Sequence, residues 1–365
     1  MRRSRKALAG LAVALLLLAG LELGLRGAWG PPPPPVRVYS GVGEVSAWFV
    51  GDDQGWAPSY QQSPAQGPFP ARYAGPRFAV LGGSSVHGGS HRVGPEAEFP
   101  GLLERQLGVP VLNLGAPALD SFDHVQIAAT LERWDWTAVV LYAGHNDFGN
   151  AFFHDRYGGA SGWAEARALA GLEHLQLFVQ LRRGIGGREG RQSPALDQEG
   201  GHLPALDDNR RATAARHFEA NLRRIAWRLG ERGVPLVLVT PVSDLLGPPL
   251  GLDCPTEPCA ARLFEQGRGL LASDPARAVG LLEQARDLDP MPIRAPGSAA
   301  EAMRRVASDT DGVLLVDAAR DLPRDSAAAV PDRRLFQDPV HLSLYGHQAM
   351  AALIAPTVSG LYNSQ

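Results

Sequence analysis

Four short stretches of this chain carry groups that could perform acyl transfer. Ser84 follows Gly82-Gly83 at the end of an apolar run. A tight turn there can display its hydroxyl, with the next backbone N–H groups facing any negative charge that develops. Asp338 stands three residues before His341. That spacing lets a carboxylate reach the imidazole Nδ1 and leaves Nε2 free to take a proton from a serine. Asn146, within Gly144-His145-Asn146-Asp147, offers a side-chain amide beside a glycine, a donor suited to an oxyanion. The fourth stretch, Asn113 to Ala118, offers backbone N–H groups at Gly115 and Ala118. Taken singly each has a plainer meaning, and Gly-Gly-Ser alone reads as an ordinary turn.

The elements around these stretches give them a common frame. Apolar runs at Phe78–Leu81, Val109–Leu114, Ala138–Tyr142, Pro235–Thr240 and Val313–Val316 read as buried strands. Helices are predicted at Phe99–Leu107, Phe122–Trp134 and Asn209–Arg232; in the last, Phe218, Leu222, Ile225, Ala226 and Leu229 recur at helical spacing. Strands alternating with helices imply a parallel sheet covered on both faces, with ligands bound at the carboxyl ends of the strands. The expected architecture is a three-layer α/β/α sandwich with a flavodoxin-like sheet. Gly184 to Asp208 reads as a loop, and about 259–295 as a helical hairpin, Ala260–Ala272 and Ala276–Leu288 around Ser273-Asp274-Pro275. One such hairpin cannot bury its apolar face alone, so it is expected to pack on the main domain as a cap.

Ser, Gly or Ala, Gly-x-Asn-Asp and Asp-x-x-His occur in that order from about Phe78 to Ala352. The arrangement resembles the SGNH (GDSL-like) hydrolase superfamily. Gly144-His145-Asn146-Asp147 matches its third block in full, and Asp338-Pro339-Val340-His341 its fifth. Two positions depart from the pattern: Gly83 stands where the family usually has aspartate, and Ala118 where it has the donor glycine. The resemblance implies Ser84 as nucleophile, His341 as general base and then acid, and Asp338 as its orienting partner. It implies an oxyanion site made by the N–H groups of Ser84 and Ala118 and the amide of Asn146, with Gly115 as the alternative to Ala118. No cofactor or metal is implied. The expected activity is hydrolysis of an ester, with an O-acetyl group on a cell-envelope glycan as target. The alternatives are O-acyl transfer to an envelope polysaccharide and a non-catalytic envelope scaffold.

Other residues have two readings. His87, His145 and Arg294 are candidates to touch substrate; otherwise His87 and His145 are packing groups and Arg294 a structural ion pair. Ser85 is expected to point away from the chemistry, His347 to pack in the last helix, Asp147 to brace its loop, and Trp134 and Trp136 to pack.

Residues 1–30 read as a targeting segment. Arg2, Arg3, Arg5 and Lys6 precede an uncharged, mostly apolar run from Ala7 to Leu21, the pattern of a signal anchor or a cleaved signal peptide. Pro31–Pro35 suggest an extended spacer. Residues 31–76 read as a Pro-rich linker and irregular lead-in, and 77–365 as the hydrolase-like domain. The expected location is the cell envelope, anchored in the inner membrane and facing outward, or secreted if the signal is cleaved. The only two cysteines, Cys254 and Cys259, read as a disulfide in such an oxidising place or else as two thiols. A hydrophobic fraction of 45% allows a large core, and a net charge of -3 excludes the basic field that nucleic acid requires.

Overall fold

The apolar runs assemble into one parallel sheet in the computed structural model. It describes residues 2–30, 37–39, 43–45, 49–51, 54–59, 64–65, 67–88, 94–131, 133–153, 172, 175–185, 208–251, 258–324 and 330–363. The chain divides into two compact units: Met1–Arg37 with Tyr157–Gly201, and Val38–Arg156 with His202–Gln365.

In the larger unit the central strands are β6 (Phe78–Gly82), β7 (Val111–Asn113), β8 (Ala138–Tyr142), β9 (Leu236–Val239) and β10 (Val313–Val316). Their order is β10–β9–β8–β6–β7, and every neighbouring pair is parallel. Counting only these five, this is the 2-1-3-4-5 order of flavodoxin-like sheets, whose ligands lie where the order reverses. The reversal falls between β6 and β8. The edge strand β10 has the expected bounds, while β7 is shorter than expected at both ends. Pro110 has no N–H to give, although its carbonyl accepts from Phe78 (2.9 Å).

Both faces are covered, so β6 and β8 are buried at every position. On one face Phe78, Val80, Val140 and Val237 pack with Phe99 and Leu103 of α3 (Phe99–Leu107) and with Met350, Ile354 and Val358 of α12 (Leu344–Asn363). On the other, α4 (Ser121–Leu131), α7 (Asp208–Gly230) and α10 (Gly297–Asp309) pack together. Phe218, Leu222, Ile225 and Leu229 of α7 are fully buried. Burying one such side chain contributes about 1.5–3 kcal/mol.

The lead-in is not irregular throughout. Two short strands, β1 (Arg37–Tyr39) and β2 (Gly43–Val45), pair with each other. β3 (Phe49–Gly51), β4 (Gly55–Pro58) and β5 (Phe69–Pro70) form an antiparallel sheet. Trp56 of β4 stacks on Trp134 with ring centroids 4.2 Å apart, and Phe49 meets both indoles edge-on. Arg77 ties the sheet down, donating to the carbonyls of Asp135 (2.6 Å) and Pro70 (2.9 Å), with its guanidinium over the Trp136 ring.

The helical hairpin is α8 (Ala260–Leu270) and α9 (Pro275–Asp287). Asp274 caps α9 by accepting from the Arg277 N–H (3.2 Å), and Pro275 takes the first helical position. Leu263, Phe264, Leu282 and Ala285 bury against Leu245, after β9, and Val330. Cys259, just before α8, is disulfide-bonded; Cys254 lies outside the described residues.

In the smaller unit α1 (Arg2–Trp29) includes the predicted apolar run, and Leu16, Leu17 and Leu23 are exposed. Glu22 interrupts that run for a structural reason. Its two carboxylate oxygens accept from Gln176 and Leu177 N–H (2.8 Å each) at the start of α6 (Gln176–Ile185), while Arg26 donates to it (2.6 Å). Among the described residues no helix is long and apolar enough to cross a membrane. Pro31–Pro35 lie outside the described residues. So does the predicted Gly184–Asp208 loop apart from its ends, which belong to α6 and α7.

Candidate active site

β6 runs out at Gly82, and the chain turns through Gly83 into the single-turn helix α2 (Ser84–His87). Ser84 is therefore the first helical residue, half-buried at the carboxyl end of the sheet beside the point where the strand order reverses. Its Oγ lies 2.8 Å from His341 Nε2, and His341 Nδ1 lies 2.6 Å from Asp338 Oδ2. The structure thus brings Ser84, His341 and Asp338 into one continuous hydrogen-bonded series.

The loop that carries Asp338 and His341 is built from its own hydrogen bonds. Asp338 Oδ1 accepts from the N–H groups of Val340 (3.0 Å) and His341 (2.8 Å), which leaves Oδ2 for the imidazole. Gln337 N–H donates to the His341 carbonyl (3.1 Å), and its side chain to that of Leu342 (2.9 Å). Two contacts from other elements hold the loop in place: Ser85 Oγ donates to the Val340 carbonyl (3.1 Å), and Asp244 N–H to that of Pro339 (3.0 Å). Ser85 points away from the Ser84 hydroxyl and instead fastens the nucleophile's helix to the histidine's loop. Burial raises the Asp338 pKa. The donors from the His341 ring, Val340 and His341 N–H outweigh that and hold it below the ordinary carboxylate value. Asp338 is ionised at neutral pH, as a group that orients an imidazole must be.

Three donors stand beside the nucleophile. The N–H groups of Ser84 and Ala118 donate to nothing among the described residues. Ala118 has φ +61°, and it is the one non-glycine residue with positive φ among those described. The alternative, Gly115, has its N–H donating to Asn113 Oδ1 (3.0 Å). Asn146, on the first turn of α5 (His145–Phe153), donates one amide hydrogen to the Leu119 carbonyl (2.8 Å), and its second remains. A side chain at position 83 would require Asn146 to shift. A Cβ on Gly83 would sit 2.2 Å from Asn146 Nδ2, closer than any nonbonded contact allows.

The other candidates divide. His87 lies one turn along α2 from Ser84, half-buried. His145 is buried, its Nδ1 accepts from Ala295 N–H (3.0 Å), and burial pulls its pKa down to about 3. Arg294 is likewise held by contacts within the fold. Its guanidinium donates to the carbonyls of Asp244, Gly247 and Pro248 and pairs with the buried Asp289 (3.3 Å). Asp147 accepts from Ser121 N–H (3.0 Å), so it braces the start of α4. Burial, then the neighbouring Asp120, push its pKa up. His347 packs on Phe99 and accepts its N–H (3.2 Å). Among the described residues no group of three or more His, Cys, Asp or Glu side chains could hold a metal ion.

Sequence reasoning missed two supports. Asn113 donates to the Val86 carbonyl and to Glu98 (2.9 Å each), joining the end of β7 to α2. Glu98 is buried, which pushes its pKa up to about 7 despite the Asn113 amide. A glutamate directly before an apolar helix start was the available signal. Asn150, on α5, was the second; it had no spacing rule to reveal it.

No family model and no curated protein matches the chain. Among solved structures it is similar to a GDSL-like lipase from Bacteroides thetaiotaomicron VPI-5482, at 12% identity and TM-score 0.40 over 78% of this chain and 88% of that one. It is similar to TesA at 13% identity and TM-score 0.40, over 78% of this chain and 99% of that one. A catalytic mutant of an acetylxylan esterase from Geobacillus stearothermophilus gives 14% identity and TM-score 0.37, over 78% of this chain and 94% of that one. Likenesses at TM-scores this low carry no weight for what this chain does.

Proposed function

We propose that this chain is a serine esterase of the SGNH (GDSL-like) kind, with Ser84 as its nucleophile. The observation that carries the proposal is the series Asp338–His341–Ser84, with gaps of 2.6 and 2.8 Å, beside two unspent backbone N–H groups and the Asn146 amide. Ser84 Oγ attacks the ester carbonyl while His341 Nε2 takes its proton. The carbonyl π pair moves onto oxygen, and Ser84 N–H, Ala118 N–H and Asn146 Nδ2 receive that oxyanion. As the tetrahedral intermediate collapses, the C–O bond to the alcohol breaks and His341 returns the proton to the leaving oxygen. Water then repeats the sequence on the acyl-serine, releasing the acid. Asp338 stays ionised throughout and keeps Nδ1 protonated.

The test uses the full chain with p-nitrophenyl acetate and a fluorophosphonate label read by intact mass. Turnover and a single label are expected in the wild type, both lost in Ser84→Ala. His341→Ala should lower kcat by about 10⁴-fold or more. A folded wild type that neither turns over nor takes the label overturns the proposal.

The same proposal places the enzyme in the cell envelope and makes O-acylated envelope glycan its substrate. The basic residues ahead of the apolar run, the exposed leucines of α1 and the Cys259 disulfide support the location. Fractionation of cells and acetate release from isolated envelope polysaccharide test the two parts separately. Suppression of acid release by added glycan acceptors would turn the assignment to acyl transfer.

A further inference from the structure

An alanine held at φ +61° costs about 1 kcal/mol or more relative to ordinary backbone, so something must hold Ala118 there. Part of the holding is local, since Leu119 N–H closes a turn on the Ala116 carbonyl (3.4 Å); the rest comes from a single helix. Asn146 donates to the Leu119 carbonyl (2.8 Å). Asn150, one turn further along α5, donates to the Ala118 carbonyl and to Asp120 Oδ2 (2.9 Å each). Asp147 Oδ1 accepts from Ser121 N–H (3.0 Å). Residues 118, 119, 120 and 121 are each gripped by the first turns of α5.

Asn146 and Asp147 belong to the Gly-x-Asn-Asp motif; Asn150 does not. It is buried, and its hydrogen bonds go to Ala118 and Asp120 rather than to Ser84, His341 or Asp338. We infer that Asn150 is a positioning residue: it pins the Ala118 carbonyl, and through it the positive φ that sets where the Ala118 N–H points. Without the pin, alanine relaxes towards negative φ and the donor swings away from the oxyanion. Glycine pays nothing for positive φ, so a glycine at 118 should partly release the enzyme from its need for Asn150. That compensation separates positioning from a merely structural role.

The inference rests on the serine-esterase proposal and is tested on the full chain with p-nitrophenyl acetate. Asn150→Ala should lower kcat by about 10²-fold, the scale of losing one oxyanion donor, with KM within about twofold. Ala118→Gly in the same background should restore at least about tenfold of that loss. Asn150→Leu, matched in size and lacking the donor, takes the place of Asn150→Ala if the latter does not fold. A folded Asn150 variant with near wild-type kcat overturns the inference. So does a kcat loss that Ala118→Gly leaves untouched. An inactive, unlabelled wild type overturns the esterase proposal instead, and shows itself before any variant is made.

Discussion

Asn146 reaches its place because position 83 has no side chain. The amide nitrogen occupies the volume a Cβ would need, with the Leu119 carbonyl 3.4 Å from the same point. Installing the aspartate that relatives of the suggested family usually carry should therefore damage the enzyme. Gly83→Asp must displace Asn146 or tilt α2, and either removes a donor from the oxyanion. The expected loss is about 10²–10³-fold in kcat, measured by steady-state hydrolysis, with the folded state checked by circular dichroism. Wild-type kcat in Gly83→Asp would mean that Asn146 is not held where it is described. The Asp-x-x-His group was legible because Asp338 meets an imidazole three residues away, and Asn146 because the Gly-x-Asn-Asp spacing after β8 marks it, although its partner carbonyl lies 27 residues back. Asn150 was not legible, since no such spacing marks it and its partner carbonyl lies 32 residues back along the chain.

At the scale of elements, legibility followed the strength of the periodic signal. The helix predicted at Asn209–Arg232 appears as Asp208–Gly230 because a long, two-sided pattern tolerates error at its ends. α10 was missed, because its buried face is mostly alanine (Ala299, Ala300 and Ala302), with Met303 and Val306 too few to make a periodic signal. β3–β5 were missed because strands of 2–4 residues are too short to show alternation. Arg294 shows how an element junction can look like a binding site. It sits between α9 and α10 and collects the carbonyls of the loop after β9, with Asp289 as its counter-ion. Asp289 is itself 1% exposed, so removing the guanidinium strands a buried carboxylate. Arg294→Met should cost about 3–5 kcal/mol, read by urea unfolding, with KM of the folded enzyme unchanged. A raised KM at unchanged stability would return Arg294 to substrate binding.

Across the whole molecule, buried titratable groups set how stability follows pH. Burial pulls His124 and His347 down to about 4 and His145 to about 3. These rings stay neutral in the fold, while the unfolded chain protonates them near 6.5. The unfolded state therefore binds more protons below that pH, and stability falls as pH falls from about 6.5 towards 4. Glu98, raised to about 7, acts oppositely: its contribution is present at low pH and is lost as pH rises from its unfolded value through 7. Asp147 acts in the same sense as Glu98. The histidines dominate the acid side, so His347→Gln, which cannot titrate, should lose about 2 kcal/mol less than the wild type between pH 7 and pH 5. Urea unfolding at the two pH values measures this, and equal losses would show that His347 is already charged in the fold. A last consequence follows from the lead-in sheet. The indoles of Trp56 and Trp134 lie 4.2 Å apart and 15° from parallel, close enough for their electronic transitions to couple. The molecule thus carries its own optical gauge of whether the lead-in is seated, at the amino-terminal end of the strands and away from Ser84, so that docking there can be followed without perturbing the catalytic edge.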